Sequence, residues 1–189
     1  MTEQIFTSEE LGNVNTFTSI SFNAATAPVA SRNMAIYLMP TNLTSVSSFV
    51  NLDATAQKVY DGNVDITTGW FTIPFDSAFH YDGTSNLMLI VDDNTGSYSS
   101  TNNYNCHSLT GATSARIYSD GTDYDPYQAT SYSATTIAYR NNIIFGSECD
   151  TTTNCVAPHM AAGASTNNSL EVTWVPGYQE SAWEIEYKT

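Results

Sequence analysis

From Thr16 the chain alternates apolar and polar side chains through Phe17-Thr18-Ser19-Ile20-Ser21-Phe22, the period of a strand with one buried face. Met34-Ala35-Ile36-Tyr37-Leu38-Met39 and Leu87 to Val91 are instead continuous apolar runs, too short for buried helices and suited to strands in a core. Further short strands are predicted at Ala56–Tyr60, Asn63–Ile66, Gly69–Phe75, Ala115–Tyr118, Thr136–Tyr139 and Asn142–Phe145. Between them stand turn signals: Asp61-Gly62, Thr68-Gly69, Asp82-Gly83, Asn94-Thr95-Gly96 and Asp120-Gly121. A helical period never persists beyond two turns, and only Glu9-Glu10-Leu11 and Thr44 to Phe49 are predicted to form short helical turns. The pattern therefore predicts an all-β fold, an antiparallel β-sandwich of jelly-roll-like character over residues 1–147.

The pattern changes after Phe145-Gly146-Ser147. Cys149 and Cys155 bracket five residues in a turn-rich linker, 148–157, and this spacing lets the two sulfurs meet in a local disulfide. Two unpaired thiols are the alternative, whereas metal binding is disfavoured because His159 has no partner at ligand spacing. Cys106 is expected to be a small buried hydrophobe. Residues 158–189 then read as strands, with Val156-Ala157-Pro158 ahead of Ser169-Leu170-Glu171-Val172-Thr173-Trp174 and Ala182-Trp183-Glu184-Ile185-Glu186-Tyr187-Lys188. This succession resembles the opening of a fibronectin type III domain. Related sandwiches need roughly 100 residues, so the resemblance implies a second module that is cut short.

Charge narrows the partners. Only 13% of residues are charged, with 19 acids against 5 bases and a net charge of −14. The bases Arg32, Lys58, Arg116, Arg140 and Lys188 stand singly, so no basic stripe exists to displace counterions from a phosphate backbone. Nucleic acid and anionic membrane surfaces are excluded as partners on that ground. Membrane insertion is excluded too, since no run approaches the roughly 18 apolar residues that a spanning helix needs. The surface polarity comes instead from 26 Thr, 21 Ser and 17 Asn, a composition of strands, turns and exposed sheet faces. The N-terminal Met1 to Ser8 has neither the basic nor the apolar region of a signal peptide, and an excised piece of an exported protein is the favoured reading.

A succession of segments carries a more specific likeness: Gln4-Ile5-Phe6-Thr7-Ser8-Glu9-Glu10-Leu11-Gly12, Arg32 to Leu38, Val59-Tyr60-Asp61-Gly62, Gly69-Trp70, Phe79 to Leu87, Val91 to Ser97, and Arg116-Ile117-Tyr118-Ser119-Asp120-Gly121. Over about residues 3–147 it resembles a β-sandwich module of exported surface proteins of Bacteroidota, found beside fibronectin type III repeats and peptidase or adhesin domains. The resemblance implies export to the cell surface or beyond it and a multidomain parent. It implies no particular activity.

Two acidic loops are candidates for structural calcium. Asp92 and Asp93 end an apolar strand, and Asp120, Asp123 and Asp125 surround a glycine turn, so oxygen ligands gather in both. The competing reading is that these residues are turn formers bonding nearby amides. Seven of the 12 tyrosines fall between Tyr98 and Tyr139, interleaved with Asn, Ser, Thr and Asp. Of these, Tyr98, Tyr104, Tyr124, Tyr127 and Tyr132 are the candidate ligand-binding set, because exposed rings stack on sugars or give contact area to proteins. Cross-strand packing is their alternative role. Trp70 is expected in the core and His80 in solvent. No nucleophile elbow, metalloprotease helix or phosphate loop occurs, so a non-enzymatic module requiring no cofactor is expected. The function predicted is adhesion or carbohydrate binding within a multidomain protein, with a glycan, a surface protein or adjacent domains as partners. The alternative is a spacer or fibre module that packs on a neighbouring peptidase or adhesin domain.

Overall fold

The alternation that starts at Thr16 builds an eleven-residue strand whose inward residues Phe17, Ile20, Phe22 and Ala24 are buried while the intervening positions reach the surface. The computed structural model describes residues 1–147 except 13, 29, 98, 100 and 102, and the backbone of 159–165 and 170–175. By internal contacts the chain divides into Met1–Gly146 and Ser147–Thr189. In the first unit the strands are β1 (Thr2–Phe6), β2 (Thr16–Thr26), β3 (Arg32–Thr41), β4 (Gln57–Val64), β5 (Gly69–His80) and β6 (Asn86–Asp93). Shorter ones follow: β7 (Asn103–Tyr104), β8 (Cys106–Ser108), β9 (Ser114–Arg116), β10 (Thr135–Ile137), β11 (Tyr139–Asn141) and β12 (Ile143–Ser147). In the second unit β13 (His159–Ser165) pairs antiparallel with β14 (Leu170–Val175). The strand expected at Ala182–Lys188 and the pair Cys149 and Cys155 lie outside the described residues.

The first unit is an antiparallel β-sandwich. A six-stranded sheet runs β10-β9-β1-β6-β3-β4, a second sheet runs β12-β2-β5 with β7 also paired to β2, and β11 with β8 forms a separate ribbon. Between the two larger sheets lies a core to which Met34, Ile36, Leu38, Leu87 and Leu89 contribute from one side and Phe17, Ile20, Phe22, Phe71 and Ile73 from the other. The large sheet is buried on its opposite face as well, where Ile5, Tyr37, Met39, Met88 and Ile90 pack under Val46, Phe49, Leu52 and Ala129 of strandless segments. Burial on both faces is why β3 and β6 are continuously apolar rather than alternating.

Several expectations change at this level. Asp61-Gly62 is no turn: it lies inside β4, which joins the two short strands read at Ala56–Tyr60 and Asn63–Ile66. The segment Thr44 to Phe49 has no helix, and Val46 and Phe49 instead drop into the core beneath two bends. The other helical turn is present as α1 (Ser8–Leu11), closed by a capping box in which the Thr7 N–H donates to Glu10 Oε2 at 2.8 Å and the Glu10 N–H donates to Thr7 Oγ1 at 3.4 Å. Trp70 is not a core residue, being 49% exposed. It shares the outer face of β5 with Thr72, because Phe71 and Ile73 take the two inward positions. His80 is exposed at the end of β5. Among the described residues no helix is long and apolar enough to cross a membrane.

Candidate functional site

β1 is the strand from which the site is built. Its period of two sends Met1, Glu3 and Ile5 to the face covered by loops and turns Thr2 and Gln4 the other way. Antiparallel register then sets Arg116 of β9 between Thr2 and Thr135, and Ser114 between Gln4 and Ile137. Thr2, Gln4, Ser114, Arg116 and Ile137 line a cleft of about 470 Å³, to which Phe22, Tyr104, Cys106, Tyr139 and Asn141 contribute from β2, β7, β8 and β11. Tyr118 stands at its edge and is 79% exposed, and Tyr139 is 55% exposed.

The polar groups of the cleft are fixed by internal bonds. Gln4 Oε1 accepts from the Asn141 N–H at 3.1 Å, and Ser114 Oγ donates to the Tyr139 carbonyl at 2.7 Å. Asp93 is neutralised by Arg32, whose Nη2 and Nε lie 2.7 and 2.9 Å from Oδ2. The Arg116 guanidinium sits 6.0 Å from the centroid of the Tyr118 ring. Solvent reaches Cys106, which is therefore not the buried hydrophobe expected, and its Sγ lies 3.5 Å from both the Tyr104 carbonyl and Asn141 Oδ1. Partial burial still pushes this thiol above its ordinary pKa, so it stays protonated and a poor nucleophile at neutral pH.

The expected ligand set is only partly brought together. Tyr104 packs on Phe22 and Phe71, with ring centroids 5.9 and 6.3 Å away, and lines the cleft. Tyr124 and Tyr132 meet edge to face at 5.0 Å and pack instead on the loop-covered face of the large sheet. The Tyr132 hydroxyl accepts there from the Asp125 N–H at 3.2 Å. Tyr127 contacts Tyr37 at 6.3 Å, and Tyr98 lies outside the described residues. The five therefore do not share one platform.

The carboxylates also separate by role. Asp92 is buried, and burial lifts its carboxyl to about 6. With the Asn94 amide turned so that its nitrogen faces the two carboxylates, Nδ2 donates to Asp92 Oδ2 at 3.2 Å and to Asp123 Oδ1 at 2.9 Å, joining the two acidic loops. Asp93 binds Arg32 and also accepts from the Thr95 N–H at 3.1 Å. Asp125 caps the 3-10 segment Pro126–Ser131, accepting from the Tyr127 N–H at 2.9 Å, and Asp120 is exposed. Among the described residues no three His, Cys, Asp or Glu side chains gather to hold a metal ion.

The cleft residues missed by sequence reasoning are Gln4, Ser114, Arg116 and Asn141. Each is a single polar residue in a short strand, and only the pairing of β1, β9, β10 and β11 around them makes a site. The fold and this site define a β-sandwich with an aromatic- and amide-lined cleft. Comparison of the chain with protein-family models, with curated proteins and with solved structures finds no match.

Proposed function

We propose that the chain is a non-enzymatic saccharide-binding module of an exported, multidomain surface protein, serving adhesion, and that the cleft beside β9 and β11 is its binding site. One observation carries the reading. Exposed rings of Tyr118 and Tyr139 border a 470 Å³ cleft in which internal bonds already hold the Gln4 amide oxygen and the Ser114 hydroxyl, beside the charged Arg116 and Asp93. Rings offer flat apolar faces to the C–H face of a sugar, and fixed amides offer directed hydrogen bonds without further ordering cost. The likeness of the motif succession to Bacteroidota surface modules supports the exported setting. A glycan panel is the test: binding is expected to at least one saccharide, with Tyr118→Ala and Tyr139→Ala each weakening it about tenfold, near 1.4 kcal/mol. Tyr124→Ala is expected to leave affinity unchanged, because that ring serves the opposite face of the sheet.

A spacer module is the second reading, and exposed apolar side chains favour it. Trp70 and Ile144 are 49% and 53% exposed, the kind of surface a neighbouring domain covers. Binding to no glycan on the panel would make this the better account.

A further inference from the structure

The charge pattern around the cleft says more about its ligand than the cavity alone does. Among the described residues Arg32, Lys58 and Arg140 each pair with a carboxylate: Asp93, Asp61 and Glu10. Among the described residues Arg116 has no such pair, in a chain with 19 acids and 5 bases, and it contacts the Tyr118 ring. It is also the cation placed on the cleft wall, where the second charged side chain, Asp93, is cancelled by Arg32. Of the two charged side chains that line the cleft, Arg116 is therefore the one without a carboxylate partner among the described residues, although the whole chain is strongly negative. At physiological salt, charges beyond roughly 8 Å are largely screened, so the near group decides what binds.

On the reading that this cleft takes a saccharide, we infer that its ligand is an acidic saccharide whose ring carboxylate is bound by Arg116 while the ring stacks on Tyr118 or Tyr139. A guanidinium matches a carboxylate with two parallel N–H donors, which a neutral hydroxyl cannot reciprocate. Such a ligand presents single carboxylates spaced along a sugar chain, unlike the dense phosphates that a net charge of −14 repels. The Gln4 Oε1 accepts from the Asn141 backbone N–H in the same wall, which leaves the side-chain nitrogens of Gln4 and Asn141 for ring hydroxyls.

The test compares oligosaccharides of galacturonate, glucuronate, mannuronate and sialic acid with the same compounds after reduction of the carboxylate to an alcohol, by calorimetry at 0.15 M salt. At least one acidic compound is expected to bind tenfold or more tightly than its reduced form. Arg116→Gln is expected to abolish that preference, so that the acidic compound and its reduced form bind this variant equally, with the melting temperature unchanged, and Arg116→Lys to restore part of it. Equal binding of acidic and reduced forms, or a preference that survives Arg116→Gln, would overturn the inference while leaving saccharide binding intact. Failure of every acidic and neutral compound would overturn both.

Discussion

Glu3 is fully buried on the loop-covered face of the large sheet, with both carboxylate oxygens directed at a single donor, the Val50 N–H, at 3.2 and 3.1 Å. Burial pushes its pKa from 4.5 to about 7, against the smaller opposing effect of that hydrogen bond. The folded state therefore holds a proton that the unfolded chain has released. Stability from Glu3 is complete below about pH 4.5 and is lost as pH rises through 7, an effect of about 3 kcal/mol by pH 8. Asp92, lifted to about 6 by burial, acts in the same direction. Denaturant unfolding from pH 5 to 8 is expected to show this decline, and Glu3→Gln to flatten it and to be the more stable protein at pH 8. Equal pH slopes for the two proteins would refute the assignment.

Arg140 illustrates the opposite sign. Its guanidinium is 95% removed from solvent, donates from Nη1 to the Ile5 carbonyl at 2.5 Å, pairs with Glu10, and lies 4.1 Å from the Phe6 ring centroid. Hydrogen bonds from Arg140 hold the Glu10 carboxyl down at about 2, so the stability of that pair is present above pH 4.5 and is lost as pH falls toward 2. Arg140→Met removes the cation from Glu10, which is 39% exposed and keeps its bond from the Thr7 N–H, and a loss of about 1–2 kcal/mol is expected at pH 7, shrinking toward pH 2. Chemical denaturation at the two pH values measures both parts.

At the scale of elements, three Asp-Gly dipeptides with the same sequence signature have three fates. Asp61-Gly62 lies within β4, Asp82-Gly83 makes a turn with φ of +74° at Gly83, and Gly121 has open space where a Cβ would go. Gly83→Ala should cost about 1 kcal/mol or more, since an L side chain is strained at positive φ, and Gly121→Ala should be near neutral. Thermal melts of the two variants decide this. The segment covering the large sheet is held without regular structure, through residues such as Phe49, which is 1% exposed. Phe49→Ala is expected to cost about 3–5 kcal/mol, as much as a loss from a strand core.

The same elements show what the sequence made legible. The apolar runs of β3 and β6 and the alternation of β2 identify the sandwich, because in each the side-chain pattern reports directly on which faces are buried. β1 escaped notice since its buried residues include Glu3 and Gln4, which hydrophobic pattern counts as surface. Trp70 was readable from parity, as it alternates with inward Phe71 and Ile73, yet its size suggested a core position. Of the candidate site, the sequence identified Tyr104 and the tyrosine-rich stretch. It did not reveal that Tyr124 and Tyr132 cover the opposite face from the cleft, because that depends on long-range packing rather than on local spacing.

At the scale of the molecule, the cleft exists because β9 and β10 widen the large sheet beside β1, and because β2, β3, β6, β7, β8 and β11 supply further residues. Its lining spans Met1 to Asn141, nearly the whole first unit, so function and fold are tied: a change that unseats β1 removes Gln4 from the cleft and Glu3 and Ile5 from the core together. The most direct measurement is a backbone-amide NMR titration of the chain with the saccharide panel. Shifts are expected to cluster at Gln4, Ser114, Arg116, Tyr118, Tyr139 and Asn141, with Tyr124 and Tyr132 unmoved. Binding that perturbs the tyrosines of the loop-covered face and leaves the cleft silent, or no perturbation by any saccharide, would contradict the account.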